Sequence, residues 1–251
     1  MQVDPSKKGK LCVRCNPKDV LETIKIMNDD QKKKVRELGW GKILDIAVNA
    51  VESRALYCWL LDKIDTENMV LRVPPDHALP INKRAVHVVM GVPTGKEKLP
   101  KTKQYEVTAS KAVLIGMLGR QSDKITVKML QNRLKQHQDD DLSIRCFFMI
   151  LFNRLLFSTS SFDISNLDVK YTMDLQLLSK VDWCQLIVND IKMAAEKWQS
   201  RKANVQNPSL HACAPFLIVS LLYPQAIFPR IPWTISLLTI KLFFLLAAVL
   251  P

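Results

Sequence analysis

Glycine is scarce in this chain, with seven residues in 251, and aromatic residues make up only 7%. Long alternating runs of β-branched residues are few, which disfavours a large sheet and predicts a mainly α fold. Cys12-x-x-Cys15 is the one close cysteine pair, and no second such pair or His-x-His pair follows it. A four-ligand zinc site is therefore not expected, and no βαβ pattern surrounds the pair to suggest redox chemistry. No secretory leader opens the sequence, so the six cysteines are expected to be reduced and intracellular. Those at 58, 146, 184 and 213 fall within apolar helical patterns, where a free thiol behaves as a small buried hydrophobe.

Apolar residues make up 48% and charged residues 24% of the chain, a globular composition. The formal net charge is +12 and is unevenly spread. Residues 1–111 hold 21 basic against 14 acidic side chains, whereas the last 41 positions hold no acid at all. Such a balance favours acidic partners, with nucleic acid the usual one.

The expected architecture is a multi-helix globular domain with one small β-hairpin. Asn16 and Pro17 read as the start of a helix whose apolar face is Val20, Leu21, Ile24 and Met27. Asn28 and Gln31 have capping-box spacing, and Gly39 is a natural stop for the helix between them. Lys32, Lys33, Lys34 and Arg36 lie along that helix on the side its dipole prefers for cations, which makes them both helix stabilisers and candidate nucleic-acid contacts. A helix over 52–63 is expected to bury Leu56, Trp59 and Leu60. Residues 69–73 and 77–81, joined by Pro74-Pro75-Asp76, predict the hairpin, and Asn82 to Gly91 bounds a short helix.

Residues 94–106 are polar, basic and unpatterned, and are expected to form a linker or exposed loop. Lys96, Lys98, Lys101 and Lys103 are the candidate phosphate contacts there. Gly91-Val-Pro-Thr-Gly-Lys96 resembles a phosphate-binding loop only on the surface: its glycines are too close, and Glu97 stands where Ser or Thr should hold magnesium. Beyond it, Thr126 caps a helix with Val127, Leu130 and Leu134. Asp139, Asp140 and Asp141 then precede the apolar run 146–157, which reads as a buried core helix. Trp183, Cys184, Ile187, Val188, Ile191, Ala194, Ala195 and Trp198 form one helical stripe.

The order of Cys15-Asn16-Pro17, Val35–Gly41, Leu56–Leu61, Leu79-Pro80-Ile81, Val89–Pro93, Ser158–Ser161 and Asp182-Trp183-Cys184 resembles the plant mobile domain family. That family is the transposon-associated module also called aminotransferase-like. The resemblance covers roughly residues 12–218. It implies a non-enzymatic, transposon-derived nuclear module that meets nucleic acid or chromatin, with no cofactor and no fused protease or phosphatase domain. A pyridoxal-phosphate aminotransferase ranks far below, since no context nominates a Schiff-base lysine or a phosphate cup.

The expected organisation is a basic tail over 1–14, the helical domain over 15–218 and a divergent hydrophobic tail over 219–251. Residues 233–250 number 18 and include Lys241, at the lower limit for a membrane-spanning helix. They read either as a membrane anchor, the alternative location to the nucleus, or as translated intron or frameshifted sequence. The abrupt loss of resemblance near Ser220 favours the second reading.

Overall fold

A computed structural model describes residues 12–48, 53–74, 76–119, 124–138, 140–159, 161, 163–201, 209–210, 212–223 and 227. The expected candidate span over 233–250 lies outside these residues. Among the described residues, no helix is long and apolar enough to cross a membrane.

The fold is mainly α. Strand β1 (Cys12–Val13) leads into α1 (Pro17–Ile26) and α2 (Asp29–Glu37), followed by a 3-10 turn over Gly41–Asp45. Helix α3 (Arg54–Lys63) precedes β2 (Ile64–Asp65), β3 (Val70–Val73) and β4 (His77–Pro80). Then come α4 (Lys83–Met90), α5 (Gln104–Met117), α6 (Val127–Leu134) and α7 (Asp141–Leu151). The last elements are α8 (Asn166–Thr172), α9 (Leu177–Lys180), α10 (Trp183–Arg201), β5 (Ser209–Leu210) and α11 (Ala214–Leu222).

Local chemistry places most of these boundaries. The Asn28 side chain accepts from the Gln31 amide at 2.8 Å, and the Gln31 side chain accepts from the Asn28 amide at 3.2 Å. At the other end of α2, the Gly39 amide donates to Arg36 O at 2.9 Å and the Trp40 amide to Val35 O at 3.1 Å. This is a Schellman stop, and it requires Gly39 at φ +85°. Asn82 caps α4 through the Ala85 amide at 2.9 Å, and Gly91 closes it at φ +65°.

Three details depart from expectation. The buried face of α3 is Tyr57, Leu60 and Leu61, with Leu56 and Trp59 only partly buried. Apolar residues occur almost all round this helix, so its period alone does not orient it. The hairpin gains a third strand, β2, through antiparallel pairing of Ile64 with Leu71 and Asp65 with Val70. Helix α11 runs on past the expected boundary at 218–219, with Ser220 and Leu221 buried.

Helix α7 is the centre of the core, with every residue from Ile144 to Phe152 buried except Arg145. Helices α1, α2, α6 and α8 pack around it, while α3 and α4 pack against both α10 and α11. A π turn over Phe152–Leu156 continues α7 and turns Asn153 and Arg154 inward. Asn153 donates to the Asp168 carboxylate at 2.9 Å, and Arg154 pairs with Asp19 at 3.0 Å, so the widened turn ties α7 to α8 and α1.

The two helix groups meet at Trp40 and Trp183, both fully buried. Their indole N–H groups donate to the same acceptor, Leu178 O, at 2.9 and 3.0 Å. Phe148 lies 5.2 Å from the Trp40 ring, and Phe152 lies 4.7 Å from Trp183, closing an aromatic cluster. Trp40→Ala is expected to cost about 3–5 kcal/mol of unfolding free energy. Trp40→Phe should cost clearly less, because Trp183 still satisfies Leu178 O; paired urea titrations check both values.

Candidate nucleic-acid interface

The loop after α4 is exposed but not free. The Glu97 amide donates to Lys180 O, and Glu97 O accepts from the Asp182 amide, both at 3.0 Å. Thr94 pairs with Asp182 in an isolated bridge. Gly95 makes this approach feasible: a Cβ there would stand 2.0 Å from Lys180 O. Most side chains of this segment are exposed, with Leu99 and Thr102 partly buried, while its backbone is fastened to the α9–α10 junction. The loop is also shorter than 94–106, since α5 begins at Gln104, and the Glu106 carboxylate accepts from the Lys103 amide at 3.0 Å.

Lys96, Lys98, Lys101 and Lys103 are all exposed on this loop. Lys83 reaches the same junction by pairing with Asp182 at 3.0 Å, and the exposed Lys180 lies beside Glu97. Behind the loop, Gly39 packs against Pro93, which brings the end of α2 to the loop's start. There the Arg36 stem covers Gly41 and the Lys42 stem covers Gly91. The opposite end of α2 is held to α6 by Gln31, which donates to Leu134 O at 3.3 Å. On α2, Lys33 and Arg36 are exposed and Lys32 and Lys34 partly buried, with Asp29, Asp30 and Glu37 exposed among them. The loop is the more consistently basic of the two segments. Lys42, Lys83 and Lys180 belong to this surface only because the chain folds back, so no local pattern announces them.

The same contacts decide against a phosphate-binding loop. Gly91 closes α4 against Lys42 and Gly95 serves the junction with Lys180, while the next helix starts only at Gln104. Four of the described cysteines are buried. Burial pushes the Cys15 thiol well up and the thiols of Cys146, Cys184 and Cys213 up to about 12. That is the reverse of the thiolate that metal binding or redox chemistry needs. Among the described residues no three His, Cys, Asp or Glu side chains converge on a metal position. No described lysine is buried either, so none sits in the enclosed pocket of a Schiff-base lysine. A pocket beside the β3–β4 hairpin, touching Lys63, Arg72, Asp76 and His77, measures ≈ 230 Å³. It falls below the usual range for small-molecule sites, roughly 300–1,000 Å³.

Among the described residues, three carboxylates carry raised pKa values. Burial lifts Asp168 to about 6 even though Asn153 and Ser165 hydrogen-bond it. Burial alone lifts Asp190 to about 7, and its Oδ2 has no hydrogen-bond partner among the described residues. At Asp19, burial outweighs the attraction of Arg154. By contrast, hydrogen bonds from Ser143, with Arg133 beside it, lower Asp140 despite its partial burial.

Residues 13–218 match the family described as a domain of unknown function (DUF8566). The chain belongs to that family. The match overturns the resemblance to the plant mobile domain, and the structure supplies the reason. Asn16-Pro17, Gly39, Asn82 and Gly91 are helix starts and stops, and Trp40, Tyr57 and Trp183 are core anchors. Such marks describe how a helical domain is built and do not separate one family from another. No curated protein matches this DUF8566 chain, and no solved structure does.

Two outcomes are expected. Gly95→Ala should break the junction and speed amide hydrogen exchange at Glu97 and Asp182 selectively. The second concerns pH: an acid with a raised folded pKa is stabilising below its unfolded value and loses that contribution as pH climbs to the folded one. Stability should thus fall between about pH 4 and 7 through Asp168 and Asp190, and Asp190→Asn should flatten that slope, gaining at most about 4 kcal/mol at pH 8 by chemical denaturation. Asp140, with its lowered value, acts oppositely and only below about pH 4.

Proposed function

We propose that this DUF8566 chain is a non-enzymatic binding module that holds the phosphate backbone of nucleic acid through the loop over 94–103. The carrying observation is a loop with four exposed lysines whose backbone is fastened to the α9–α10 junction. Fastening matters because a positioned cation loses less freedom on binding than one on a slack loop. Lys180 and Arg36 extend the surface, which also includes acids, among them Glu97 and Asp182. Lys32, Lys33 and Lys34 remain secondary contacts on α2.

Lysine ammonium groups meeting phosphates read charge, not base identity, so the binding is independent of sequence. The buried thiols, held protonated, support a role without covalent catalysis. The nucleus stays the proposed location, as the place where such a surface meets its ligand.

Duplex DNA binding by the full chain should weaken steeply with salt. Replacing Lys96, Lys98, Lys101 and Lys103 together by Ala should lower the slope of log K against log salt by about 3–4, since each phosphate that a lysine neutralises contributes about 0.9. Fluorescence anisotropy between 25 and 200 mM salt, on the order of the range where such slopes are read, measures this. An unchanged slope would sink the proposal.

A further inference from the structure

Helix α5 is apolar on two opposite sides. Val107, Ser110 and Leu114 form its inner face, which packs on α8. Its outer face presents Tyr105, Ala109, Ala112, Val113, Gly116 and Met117, all exposed, at the spacing of one helical stripe. Tyr105 is 66%, Val113 48% and Met117 49% exposed. An apolar helical stripe normally faces other protein, and among the described residues nothing covers this one. Ala109, Ala112 and Gly116 leave its centre shallow, and a Cβ at Gly116 would meet nothing within 4 Å.

Cations stand at both ends of the stripe. Lys103 Nζ lies 5.9 Å from the Tyr105 ring centre, and Arg145 Nη1 contacts Met117 Sδ at 3.9 Å. Lys101 precedes the helix and Lys111 flanks it, whereas Glu106, the helix's one acid, is engaged in capping. A second copy seated on this face would set basic ends against basic ends, a costly pairing. The last 41 residues of the chain contain no acid, so they do not complement it either.

We propose that the outer face of α5 is a docking surface for a helix of another protein, about four turns long, with an apolar stripe and Asp or Glu at both ends. Apolar contact along Val113 and Met117 supplies the area, and Lys103 and Arg145 set which ends are accepted. This surface acts independently of the junction lysines at 96 and 98.

The test uses the full chain and two labelled helical peptides with the same leucine stripe, one with Glu at both ends and one with Lys. The Glu-ended peptide should bind, and the Lys-ended one at least tenfold more weakly. Val113→Glu with Met117→Glu should weaken the Glu-ended peptide at least tenfold while the circular dichroism and thermal midpoint stay unchanged. Lys103→Glu, at an exposed position, should narrow the difference between the peptides. Lys96→Ala with Lys98→Ala should leave peptide binding intact while weakening DNA. Equal binding of both peptides, or no binding of either, overturns the proposal. So does a dimer that the Val113/Met117 change dissolves, or capture of phosphatidylserine vesicles by this face in place of the peptide.

Discussion

The carbonyl of Leu178 is the point on which the two halves of the helical core depend. Two buried indoles, from Trp40 and Trp183, donate to it. A helical carbonyl is normally taken by the amide four residues on. Here the Asp182 amide is drawn away to Glu97 O, and α9 ends at Lys180. The acceptor is free for the indoles because the basic loop has claimed its usual donor. Core packing and loop placement are thus one arrangement.

That coupling gives the proposed interface its character. Exposed lysines on a slack segment would spend much of any phosphate attraction on ordering themselves. Fastened at Glu97 and admitted by the missing side chain of Gly95, the backbone near Lys96 is already placed. The same junction gathers Lys83 and Lys180. The outer face of α5 begins where this loop ends, so one chain carries a charged surface and an apolar one in direct succession.

Much of the fold was legible in the residues themselves. The Asn28–Gln31 box, the Gly39 stop, the Asn82 cap and the stripe from Trp183 to Trp198 are local signals that the structure realises. Tertiary burial overrode the local pattern at α3, where Tyr57 is fully buried and Trp59 only partly. Helix α5 escapes periodicity because apolar residues lie on both its sides. The family resemblance failed for a related reason: caps and core anchors recur wherever helices must start, stop and pack.

The sequence alone determined helix content, most helix ends, the buried run before Phe157 and the basic balance, because these follow from neighbours along the chain. Only the tertiary structure decided that a polar loop is fastened and that two distant tryptophans share one carbonyl. It also decided that Lys83 and Lys180 join a surface begun at Lys96. Each of these pairs residues far apart in sequence, and their energies come from desolvation and geometry that exist only once the chain is folded.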